Sequence, residues 1–229
     1  MKTISILVLA MSWQTLLLQG QTGKSILVKA GEDIAKTYSP NGFYRLPQFS
    51  KAELFRRTVK TTSNLLFNYN IYFAKIQFIN ERGDTLDLIN PSLFDSIIIG
   101  KNVFYYDDGF LELAASSDPL RLVKKTRIRM WPESTGAYGI SNPTGSTDKV
   151  SNYTIGNNVY SFSTSENMIV KESIDWFWMN EEDKIVKASK SNMLLLLPSD
   201  KQEKARAYLK ANKISFEKEQ DLKKLMENL

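Results

Sequence analysis

The 229-residue chain contains no cysteine and no histidine. Without histidine there is no Ser-His-Asp triad, no imidazole base and no His-ligated metal. Without cysteine there is no thiolate nucleophile, disulfide, structural zinc site or iron-sulfur cluster. Any chemistry must come from carboxylates, lysine, tyrosine or hydroxyls. No G-x-G-x-x-G occurs, and Gly23-Lys24-Ser25 only mimics the end of a P-loop, because Leu18 stands where the first glycine of that motif belongs. No cofactor and no metal is expected.

Long apolar runs are equally scarce. The one at the start, Ile4 to Leu18 behind Lys2, is interrupted by Ser12, Gln14 and Thr15 and falls short of the ~20 apolar residues of a spanning helix. With Gly20 as a small residue before the cut, residues 1–20 have the pattern of a secretory signal peptide, with Gln19 or Gln21 as the mature start. The absence of cysteine excludes a lipobox. The processed protein is expected to be exported, not transmembrane, and held together by its core alone.

What is present is a globular composition. Hydrophobic residues make up 42% of the chain, enough for a core in one domain of about 200 residues. Lys and Arg number 30 against 25 Asp and Glu, a formal charge of +5. So small an excess says little about a partner, and export argues against nucleic acid.

Residues 21–133 are expected to form an antiparallel β-rich region, and from about residue 43 to 130 the pattern has period two. Ile76 and Phe78 alternate with polar residues, a turn follows at Asn80 to Asp84, and Leu86 and Leu88 alternate in turn. Ile97 to Ile99, Val103 to Tyr106 and Phe110 to Leu113 are three strands joined by tight turns at Gly100-Lys101-Asn102 and Asp107-Asp108-Gly109. Glu53 to Lys60 and Leu65 to Phe73 open the same meander. Residues 134–158, dominated by Ser, Thr, Gly, Asn and Pro, are expected to be a loop, and 159–188 a hairpin that completes the sheet. Residues 189–229 switch to helices: Ser189 caps one, Ser199 with Gln202 makes a capping box for a second, and Leu222, Leu225, Met226 and Leu229 line a third. The expected fold is α+β: an antiparallel β-meander, barrel- or sandwich-like, followed by a loop and a C-terminal helical segment.

Two features are candidate sites. On an extended Leu120 to Met130, Arg121, Lys125, Arg127 and Arg129 project on one face, either as a stripe for a polyanion or as cations that protect a solvated edge. Trp176 and Trp178 share a face beside Asp175, which suits stacking on a sugar ring or simply filling a core. Acids that could pair for glycoside hydrolysis are Asp107, Asp108, Glu112, Glu172 and Asp175, although Asp107-Asp108-Gly109 is also ordinary turn chemistry. The acidic turns at Asp107-Asp108 and Glu181-Glu182-Asp183 offer oxygen ligands without EF-hand spacing.

Several short patterns together resemble a group of exported proteins of the Bacteroidota that has no assigned activity. They are Asn68-Tyr69-Asn70, Phe78-Ile79 with Gly83-Asp84-Thr85-Leu86, Ile99-Gly100 with Phe104-Tyr105-Tyr106, Gly136-Ala137-Tyr138-Gly139, Tyr208-Leu209-Lys210, Asn212-Lys213-Ile214, Phe216 and Asp221 to Leu225. The resemblance implies a Gram-negative envelope, with the periplasm or outer membrane as destination, and transfers no catalytic residue. The function expected is a non-enzymatic binding or structural module for an envelope protein, a glycan or an anionic lipid head group. The alternative is a carboxylate-dependent hydrolase of envelope or dietary glycans.

Overall fold

A computed structural model describes residues 23–56, 59–133 and 165–229. The expected signal peptide at 1–20 and most of the segment between 133 and 168, including the predicted loop at 134–158, lie outside the described residues. In chain order the elements are β1 (Ser25–Val28), α1 (Ile34–Tyr38), β2 (Ser50–Arg56), β3 (Val59–Asn70), β4 (Lys75–Ile79), β5 (Thr85–Asp87), β6 (Ser96–Ile99), β7 (Asn102–Tyr106), β8 (Phe110–Ser117), β9 (Leu120–Pro132), β10 (Met168–Met179) and β11 (Ile185–Lys187). The helices α2 (Lys190–Leu196), α3 (Ser199–Ala211) and α4 (Glu219–Glu227) follow. The protein is therefore β-rich and broadly α+β.

All the strands belong to one antiparallel sheet in the order β1-β10-β9-β8-β7-β6-β2-β3-β4-β5, with β11 also on β10. The turn that joins β7 to β8 follows from its residues: Asp108 and Gly109 take positive φ values of 47° and 112°, and the Asp107 N–H bonds the Gly109 carbonyl. The sheet curls strongly. Four strand spacings separate β3 from β8, about 19 Å if flat. Yet the Tyr69 ring of β3 lies 5.9 Å from Phe110 of β8 and 5.2 Å from Phe104 of β7. The concave face thereby encloses one apolar core that joins Val28, Met168 and Val170 at one end of the sheet to Phe67 and Ile76 near the other.

The curl stops short of closure. Among the described residues the outermost strands β1 and β5 do not pair, so the meander, expected to be barrel- or sandwich-like, is an open sheet. With only three residues, β5 offers few ladder groups to another strand. The other half of the concave face is covered by the helices, which form a second core of Leu120, Leu122, Trp176 and Trp178 against Met193, Leu197, Ala205, Leu222, Leu225 and Met226. A smaller cluster of Leu111, Val123 and Met179 lies on the convex side.

Three local expectations are corrected. The chain reverses between Arg56 and Val59, so Glu53 to Lys60 spans the ends of two strands. The strand predicted through Phe73 stops at Asn70, whose Oδ1 accepts the Tyr72 and Phe73 N–H groups and turns the chain. Ser199 is the first residue of α3, with Pro198 as its N-cap and no capping box; Gln202 Nε2 instead donates to the Leu197 carbonyl at 2.9 Å. The Ser189 cap of α2 is present, its hydroxyl accepting the Asn192 N–H at 3.2 Å.

Candidate functional site

Between the two cores the concave face carries a polar layer. Strand alternation turns Glu112 of β8 and Lys124 of β9 inward, and the register sets them directly opposite each other. Arg45 reaches this layer from the segment before β2. Its N–H bonds the Tyr69 carbonyl, and buried Asn68 clamps Leu46 through both amide atoms, accepting at 3.1 Å and donating at 3.0 Å. The Arg45 guanidinium then grips Glu112, with Nε 2.8 and 3.0 Å from its two oxygens, while Asn102 Nδ2 donates at 2.7 Å and Lys124 Nζ lies 3.7 Å away. Burial raises the Glu112 pKa, but the Arg45 hydrogen bonds with the Lys124 and Arg45 charges outweigh it, and the carboxyl is held below its ordinary value.

Two tyrosines border this layer. Burial, and then the nearby Glu112 charge, push the Tyr69 hydroxyl up to about 12. That hydroxyl is buried with no hydrogen-bond partner among the described residues. Tyr38 donates to Glu172 of β10 and is also raised, first by burial and next by that hydrogen bond. The Lys24 ammonium bonds the Tyr38 carbonyl and sits 4.7 Å from its ring centre.

Beside Glu172 a cleft of about 800 Å³ opens along the free edge of β10. Ile174, Trp176 and Phe216 line it together with Lys24, Lys187, Glu172, Asp175, Glu217 and Glu219. Its mixed charge over an aromatic floor suits a polar chain with both donors and acceptors.

The predicted basic face lies on the convex side, and three of its four cations are engaged, two of them by acids. Arg121 is 3.2 Å from Asp183, donates to the Asn180 carbonyl and stacks over Tyr105; Lys125 donates to the Asp108 carbonyl; Arg127 is 2.9 Å from Asp175. Arg129 differs. It stands directly opposite Lys171, and neither has an acidic partner among the described residues. The next inter-strand row on the same face is Leu27, Ile169 and Trp131, with Leu27 46% exposed. Lys171 escaped the sequence reading because its partner is set by register between strands far apart in the chain.

Trp176 and Trp178 fill the second core at 4% and 0% exposure, and the Trp178 indole N–H donates to the Ser189 carbonyl. Of the acids considered, Asp107 and Asp108 make the β7-β8 turn, and Asp175 is shared between Arg127 and Lys187. Glu112 is held ionised among cations, the reverse of the protonated acid that glycoside hydrolysis requires. Among the described residues no group of three or more acids could hold a metal ion.

Compared with family models, curated proteins and solved structures, the chain matches none. No described helix is long and apolar enough to cross a membrane.

Proposed function

We propose that the protein is an exported module of the cell envelope, periplasmic or associated with the outer membrane, that binds an anionic lipid head group on the convex face of its sheet. One observation carries the reading: the like-charged pair Arg129 and Lys171, both exposed and without an acidic partner among the described residues, lies beside the apolar row Leu27, Ile169 and Trp131. Like charges directly opposite in a sheet repel, and an anion placed between them turns that cost into attraction. The apolar row offers contact to the first methylenes of the same lipid.

Vesicles with and without phosphatidylglycerol test the reading. The protein is expected to sediment with phosphatidylglycerol vesicles, less so as salt rises, and not with phosphatidylcholine alone. Each cation near an anionic surface contributes about 1 kcal/mol, so Arg129→Gln with Lys171→Gln is expected to weaken binding roughly 30-fold. Equal binding by the double variant, or equal binding to neutral vesicles, overturns the reading.

A further inference from the structure

Helix α2 carries more apolar residues than its seven positions can bury. Met193 and Leu194 face the second core, and Leu197 follows them there, but successive residues of a helix are turned by about 100°. Leu195 is thereby left pointing outward at 69% exposure, more than any other large apolar side chain of the three C-terminal helices.

Pro198 then separates α2 from α3 at a corner, which Gln202 closes by donating from Nε2 to the Leu197 carbonyl. Residues four apart on a helix share a face, so Lys190 aligns with Leu194, Ser191 with Leu195 and Gln202 with Arg206. These side chains line an open groove of about 790 Å³. Its charges are of one sign. Lys190 and Arg206 are both exposed, and neither has an acidic partner among the described residues. Asp200 and Glu203 of α3 stand outside the lining. An apolar floor between unpaired cations complements a segment whose aliphatic side chain is flanked by carboxylates.

The groove is also separate from the lipid face. The Ser189 carbonyl accepts the Trp178 indole N–H, and Trp178 lies seven positions along β10 from Lys171, about 23 Å for an extended chain. A molecule held at a membrane through Arg129 and Lys171 therefore still presents the groove.

We infer that this groove docks an acidic, amphipathic segment of a partner protein, which sets an aliphatic side chain on Leu194 and Leu195 and its carboxylates on Lys190 and Arg206. Docking here and lipid binding on the convex face use different residues, so either can fail alone.

The probe is a fluorescein-labelled peptide of glutamate, alanine and leucine, with leucines at i, i+3, i+4 and i+7, read by fluorescence polarisation. It is expected to bind the protein, less tightly as salt rises, whereas a peptide with lysine in place of every glutamate does not bind. Leu195→Ser, and separately Lys190→Gln with Arg206→Gln, are expected to weaken binding at least about tenfold. An equal loss of charge at exposed positions elsewhere, Lys36→Gln with Lys101→Gln, is expected to leave it unchanged. All these side chains are exposed, so the unfolding midpoints of the variants are expected to match that of the unsubstituted protein. No binding, binding of the lysine peptide, or equal binding by the groove variants overturns the docking. So does a dimer in sedimentation velocity that Leu195→Ser dissociates, because a second copy then occupies the groove.

Discussion

At the scale of single residues the polar layer is the most consequential feature, because a buried charge is tolerated only while its partners remain. Glu112→Gln leaves Arg45 and Lys124 without their counter-charge. Breaking a buried pair costs ~3–5 kcal/mol, and since the Arg45 side chain keeps 37% exposure, about 2–3 kcal/mol is expected, measured by urea denaturation. Tyr69 behaves in the opposite way. Its hydroxyl forms no bond among the described residues, so Tyr69→Phe removes an unsatisfied buried group while keeping the ring against Phe104 and Phe110, and is expected to stabilise the protein by about 1 kcal/mol. A loss of stability in that variant would show that the hydroxyl is bonded in solution.

At the scale of elements, β10 contributes to every part of the structure. It pairs with β9 along its whole length, and its inward residues change from Val170 in the first core, through Glu172 in the polar layer, to Trp176 and Trp178 in the second. Trp178→Ala opens a cavity beneath the helices and is expected to cost ~3–5 kcal/mol in thermal or urea unfolding. Ser189→Ala removes only the cap of α2 and is expected to cost about 1 kcal/mol. Such elements were largely legible in the sequence. Alternation located the strands from Ile76 to Met130, and the spacing of Leu222, Leu225 and Met226 gave the buried face of α4. The missed elements, β1 and α1, span four and five residues, too short for a periodic signal to emerge, and β1 follows directly on a segment assigned to export.

At the scale of the whole molecule, stability responds to pH from both sides. The Glu112 carboxyl is lowered in the folded chain, so its stabilisation is present above the ordinary glutamate pKa of ~4.3 and is lost as pH falls through the lowered value. Tyr69 is raised to about 12, so its contribution is complete below the unfolded value of ~10 and is lost as pH rises towards 12. Denaturation midpoints measured across pH are expected to fall at both ends, with Glu112→Gln flattening the acid limb and Tyr69→Phe reducing the alkaline one.

The sequence alone determined which catalytic chemistries are excluded, which stretches alternate and which faces of the helices are apolar, because these depend on residue identity and on neighbours a few positions away. The tertiary structure decided that the sheet curls without closing, that Arg45 meets Glu112 and that Lys171 stands opposite Arg129. Each of these depends on register between strands distant in the chain, where a shift of one residue exchanges the two faces of a strand.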